Sequence, residues 1–282
     1  MPTCWEVKPL VWGSQERILK TANLLLFPSL LLGGAITDVQ NAAAWNIKAP
    51  VNACIIAPGE IATIMGSGFV PFGVEATFKE FPLPTTLYGL QVRFGTTAGA
   101  LYYVSPGQIN VQVPLTATGS ETVITVYYNG AVVATKTCKT SAQAPGIFMY
   151  GKAPIITAPN GALVSMPGFA PVEVGPTGAY IVLYGSGFGP TSPAFFPGEP
   201  APLTPLLLYK LLSTLVSAKL DGKEITVSYI GLTPGSVGLY QMNILIPGTT
   251  KAGNHKLELN IGGVDLPEIS LETSTPFVVI KQ

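Results

Sequence analysis

Apolar and polar residues alternate along short stretches of this chain, and turn dipeptides separate the stretches. Leu90-Gln-Val-Arg-Phe94 is apolar at every second position, the period of a half-buried strand. Ile109 to Val113 and Thr122 to Tyr128 read the same way. Asn129-Gly130 then predicts a tight hairpin into Ala131-Val-Val133, because both turn positions tolerate positive φ. Further along, Val216 to Leu220, the turn Asp221-Gly222 and Ile225 to Tyr229 predict a second hairpin. Lys256 to Ile261, Gly262-Gly263 and Val264 onward predict a third. Short strands with turn dipeptides between them indicate an all-β sandwich or barrel. No convincing amphipathic helix follows the N-terminal segment. Leu206 to Leu215 has room for one helical turn, limited in front by Pro202 and Pro205.

Two segments repeat in the same order. Ile61 to Phe69, ending Gly66-Ser67-Gly68-Phe69, returns as Tyr180 to Phe188, ending Gly185-Ser186-Gly187-Phe188, an offset of 119 residues. Gln108-Ile-Asn110-Val-Gln-Val-Pro114 returns as Gln241-Met-Asn243-Ile-Leu-Ile-Pro247, an offset of 133. Ordered self-similarity of this kind is the mark of a duplicated module. The surplus of the second copy falls in Pro190 to Leu212, and Gln143 to Phe148, with Pro145-Gly146, marks the boundary. The domains expected are a targeting segment at 1–35, a first sandwich at 36–147 and a second at 148–282.

Composition narrows the classes. Only 11% of the 282 residues are charged, and 31 Gly and 26 Pro break the apolar runs every few residues. That argues for turn-rich β structure over membrane helices, which need about 20 consecutive apolar residues. The net charge is zero and no Lys/Arg run occurs, so nucleic acid and anionic lipid lack their electrostatic footprint.

Near the N-terminus, Arg17 and Lys20 precede an apolar stretch from Ala22 to Ile36, with small residues at Gly33-Gly34-Ala35. This is the grammar of a secretory signal, with cleavage expected after Ala35. An uncleaved anchor, the one expected route to a membrane, and a buried segment are the alternatives. Export to the medium or cell envelope permits a disulfide. Cys54 and Cys138 bracket the first module and are its candidates, against two separately buried thiols.

Several of these residues together resemble a known family. Ala57-Pro-Gly-Glu-Ile61 with Gly66 to Phe69, Leu83 to Leu87, Tyr103 to Asn110, Ala144 to Phe148 and Gly231 to Asn243 resemble the uncharacterised C-terminal domain family abundant in Solibacter-type acidobacteria. Asp38 to Ala44 looks like that family's first strand, and the resemblance spans roughly residues 36–275. It implies two tandem immunoglobulin-like modules of the IPT/TIG type in an exported protein. It carries over no catalytic or ligand-binding residue.

Motifs for chemistry are sparse. Gly185-Ser-Gly-Phe-Gly189 resembles a dinucleotide fingerprint, but Pro190 and Pro193 follow where a helix N-terminus is required to hold phosphate. His255, the sole histidine, is the only base available to a hydrolytic triad, and beside Asn254 at the start of a strand it reads as an ordinary exposed or hairpin-rim residue; no calcium or zinc ligand set is spaced for binding. No cofactor and no nucleotide are expected. The paired amides Gln108/Asn110 and Gln241/Asn243 share a strand face; they either bond loop backbone inside each module or meet a partner. Tyr102-Tyr103, Tyr127-Tyr128 and Phe195-Phe196 offer rings for sugar stacking or for the core. The run Leu206, Leu207, Leu208, Tyr209, Lys210, Leu211 and Leu212 either packs between modules or presents an apolar patch. The function expected is an exported, non-enzymatic adhesion or scaffolding module with a protein or polysaccharide partner at the cell surface. The alternative is a carbohydrate-binding module, and a weaker one is a glycoside hydrolase with two carboxyls in the cleft between modules.

Overall fold

The computed structural model describes residues 33–44, 54–203, 210–211 and 216–276. The targeting segment, apart from Gly33 to Ala35, lies outside the described residues, as do Leu206, Leu207, Leu208, Tyr209 and Leu212. Only the backbone of Lys210–Leu211 is described, as a short strand paired with Thr191–Ser192 and Gly231. The rest is all-β, with one 3-10 turn at Ala42–Ala44.

Two five-stranded sheets make the first half. One runs in the order Ala35–Asn41, Ile61–Ser67, Gln108–Gln112, Ala100–Val104, Ala76–Thr77. The other runs Ile55–Ile56, Ala131–Thr140, Glu121–Tyr128, Leu90–Phe94, Thr97–Ala98. Their facing side chains, among them Val39, Ile64, Leu101 and Ile109 from one sheet and Leu90, Val92, Ile124 and Val126 from the other, form one fully buried core. Burying each such side chain contributes about 1.5–3 kcal/mol. The phase of Glu121–Tyr128 is notable: Thr122 faces in and Val123 out. Thr122 tolerates burial because its hydroxyl meets that of Thr140 at 3.0 Å.

The second half has its own core, built on Ile181, Leu183, Tyr240, Met242, Ile244, Leu257 and Leu271. Its sheets are not separate. The strand Lys223–Leu232 bulges between Val227 and Tyr229, pairs with Val216–Leu220 before the bulge and mainly with Tyr240–Ile246 along its later part. The extra residue of a bulge bends and twists a strand, which lets one strand serve two sheets.

The repeated motifs occupy equivalent places. Ile61–Ser67 pairs antiparallel with Gln108–Gln112 so that Ile64 faces Ile109; Ala179–Ser186 pairs with Tyr240–Ile246 so that Leu183 faces Met242. These partners are related by the same two offsets that relate the motifs, so the register is duplicated with the sequence. The glycine pattern has a steric cause. A Cβ on Gly66 would strike the Phe69 ring and the Ala35 carbonyl; one on Gly185 would strike the Phe188 ring and the Gly146 carbonyl. Each glycine lets a neighbouring strand and a fully buried phenylalanine close over it. The three expected hairpin turns form at Asn129-Gly130, Asp221-Gly222 and Gly262-Gly263, with both residues of each at positive φ.

Candidate functional site

The two halves meet through a joint made of buried polar groups. Asn41, at the end of the first strand, donates from Nδ2 to Ala144 O at 2.7 Å and Ser186 O at 2.9 Å, while its Oδ1 accepts from the Ala43 amide. The Ile61 amide donates to Ser186 Oγ at 2.7 Å. Gln112 is fully buried; its Oε1 accepts from the Gly198 amide at 2.7 Å and its Nε2 faces Gly59 O. The Leu83 amide donates to Gly198 O at 2.8 Å. Tyr102 donates its hydroxyl to Val237 O at 2.7 Å, beside a small apolar cluster of Leu83, Ala100 and Val237. Burial pushes the Tyr102 phenol up, so it stays a donor.

One member of the joint is unusual. Glu60 is fully buried between these contacts, and neither carboxyl oxygen has a hydrogen-bond partner. Desolvation holds its pKa well above the usual carboxylate range, although the Ala57 backbone lies near enough to pull the other way. Tyr240, also buried and pushed up by desolvation and by the Glu60 charge, donates to Gly189 O.

Past Ile147, a recess of about 510 Å³ opens on the surface. One wall is the hairpin Met149–Tyr150/Ala153–Pro154, with Lys152 in its turn. The second wall is the loop from Ser165 to Phe169, pinned where Ser165 accepts from the Glu272 amide at 2.6 Å. Asn254, Glu268 and Glu272 close the third side. Phe169 is 39% exposed at the rim. The recess therefore combines an exposed ring and methionines with a rim of an amide, a cation and carboxylates. Glu268 is already held by Lys256 at 2.9 Å.

The sequence candidates are distributed unevenly over these places. Cys54 and Cys138 are brought together as a disulfide pair, Cα atoms 4.8 Å apart, because Ile55–Ile56 pairs in parallel with Lys139–Thr140. The paired amides do not reach loop backbone. Within each copy they bond each other, Gln108 Nε2 to Asn110 Oδ1 at 2.9 Å and Gln241 Nε2 to Asn243 Oδ1 at 3.1 Å, since two residues along a strand place them side by side. Phe195 turns inward against Gly59, and Phe196 turns out. The ring pairs among the described residues are tilted or edge-on, not coplanar. The carboxyl-bearing recess is lined by residues from Ile147 onward alone, so it is not the inter-module cleft expected for a hydrolase. Among the described residues, no group of three or more His, Cys, Asp or Glu side chains is placed to hold a metal.

His255 sits on a hairpin rim. Its Nδ1 meets Asp221 Oδ2 at 2.7 Å and its Nε2 meets Lys251 O at 2.9 Å. Both partners are acceptors, so only the doubly protonated ring satisfies both. The Asp221 bond raises the histidine's pKa and lowers that of the aspartate. Sequence reasoning missed Glu60, Gln112 and Asn41. The one signal available was the comparison of copies, in which Glu60 aligns with Ala179 and Gln112 with Leu245.

The family model of the IPT/TIG domain matches residues 50–143. No curated protein matches the chain. Among solved structures, the chain is 11% identical to a mixed-linkage glucan utilization locus protein of Bacteroides ovatus, SGBP-B, solved with a mixed-linkage heptasaccharide; 81% of this chain and 44% of that one are covered, with a TM-score of 0.32. It is 12% identical to the Escherichia coli adhesin FdeC, over 86% of this chain and 63% of that one, with a TM-score of 0.23. The chain thus spans less than two thirds of either protein, and likenesses of this size assign no activity. Residues 50–143 thus match the IPT/TIG domain within an all-β chain.

Proposed function

We propose that this protein is an exported, non-enzymatic interaction module in which residues 36–147 and 148–282 act as two immunoglobulin-like modules of the Solibacter-type family, fixed as one rigid body. The joint carries this reading: Asn41, Ser186, Gln112 and Tyr102 each place a polar atom in a bond from one half to the other. A rigid pair displays its loops in a constant arrangement, which suits adhesion or scaffolding at a cell surface. The disulfide fits an oxidising compartment.

The recess favours a polysaccharide as the second reading. A half-exposed ring beside an amide, a lysine and a carboxylate suits a ligand with one apolar face and many hydroxyls. A glycan and polysaccharide binding screen on the full chain tests both readings. A hit abolished by Phe169→Ala makes the recess the glycan site. No hit from well-folded protein leaves a protein partner as the account. Hydrolysis of any glycan by the purified chain would overturn the non-enzymatic reading.

A further inference from the structure

The joint contains a carboxyl that the fold itself does not need. Glu60 stands one residue after Gly59, which adopts φ +80; the duplicated site has Gly178 at φ +93 followed by Ala179. The turn and the strand after it form in both copies, so the turn does not call for an acid. Only in the first copy does this position face the other half. Its surroundings there are the Ile61–Ser186 bond, Gln112 with Gly198, and the Gly238 backbone, which approaches Gly59 O and the Ile61 side chain.

We propose that Glu60 is a proton-controlled latch on the joint: the halves are locked while the carboxyl is neutral, and its ionisation loosens them. This goes beyond the rigid-body reading by naming the group that controls the rigidity. A buried charge without a partner costs far more than a neutral buried acid. No countercharge is at hand to absorb it. The strand Gln108–Gln112 contributes only amides as polar side chains, and the 233–239 turn and the Phe195 to Gly198 loop bring no titratable group. The strand Tyr240–Ile246 brings the Tyr240 hydroxyl, committed to Gly189 O, and none of the ion pairs among the described residues includes Glu60. Opening the joint hydrates the carboxylate at the expense of the bonds from Asn41, Ile61 and Gly198.

The sign follows from linkage. The carboxyl of the closed joint binds its proton more tightly than that of the open joint, so the closed state is favoured fully below the free value near 4.5 and loses ground as pH rises through the raised one. Each unit by which the carboxyl is held up changes the open-to-closed ratio by a factor of about ten.

Hydrogen exchange of the Ile61 and Gly198 amides in the full chain, corrected for intrinsic rates, reads the joint directly. Between pH 5 and 8.5 their opening is expected to increase at least about tenfold in the wild type, and to stay within about twofold in Glu60→Gln. Core amides such as Ile124 should show no such difference. Equal pH dependence in both proteins, or none in the wild type, overturns the latch. The carboxyl carbon shift of Glu60 in the wild-type protein is a second readout, assigned against Glu60→Ala and needing no folded Gln variant. A shift of the ionised form at pH 5.5 would also overturn the proposal. Failure here leaves the binding screen untouched, so the two readings fall separately.

Discussion

The two copies of the repeated strand pair differ most where they agree least in their surroundings. Both keep the glycine under the phenylalanine, the fully buried phenylalanine itself and the Gln–Asn pair, and both keep the same register. They part at Glu60 against Ala179 and at Gln112 against Leu245, which are polar only in the copy that faces the joint. Ser67 and Ser186 show the converse: the same residue is exposed in one copy, yet fully buried and bonded across the joint in the other. The shared glycine, phenylalanine and amide pair serve the strand pair in each copy, whereas Glu60, Gln112 and Ser186 owe their burial to the contact between halves.

The largest test of that division is Phe69→Ala beside Phe188→Ala. Each should cost about 3–5 kcal/mol, because a fully buried ring leaves a cavity over a glycine. Urea unfolding of the two variants measures it; a cost near zero for either would mean the copies are not equivalent. Cys54→Ala with Cys138→Ala comes next. Opening a crosslink between residues 84 apart should cost about 2–4 kcal/mol, and only the first copy has one. Reducing agent should lower the melting temperature of the wild type and leave the double variant unchanged.

Gln112→Leu, which installs the residue of the second copy, should cost about 1–3 kcal/mol by stranding the buried Gly198 amide. Its counterpart Leu245→Gln, on a half-buried side chain, should have a smaller effect, and equal costs would erase the distinction drawn here. The smallest effect belongs to His255. Its raised pKa stabilises the hairpin fully below the free value of about 6.5, and the contribution is lost as pH rises through the raised one. His255→Asn should flatten the melting temperature across that range, and salt should shrink the wild-type slope because Asp221 is exposed.

Much of the fold was legible because its signals are local. Leu90–Phe94 and Val216–Leu220 form as the alternation predicts, and three turn dipeptides place three hairpins. Thr122 to Tyr128 was legible as a strand but not in phase, since Val123 and Ile124 are both apolar and only the opposing sheet selects Ile124. The shared strand Lys223–Leu232 was not legible as such, because its bulge depends on partners on either side. The recess draws on segments around 150, 167, 254 and 270, which no local pattern connects.

By itself, then, the sequence determined the all-β class, the repeated motifs and the turns. Those depend on side-chain period, backbone freedom and self-similarity, all of which are written within a few residues. Tertiary structure decided which half-buried faces turn inward, that Cys54 lies against Cys138, and that Glu60, Gln112 and Ser186 are buried together. Burial at the joint is created only when residues 86 to 145 positions apart meet, and there the cost of removing polar atoms from water decides what each of them does.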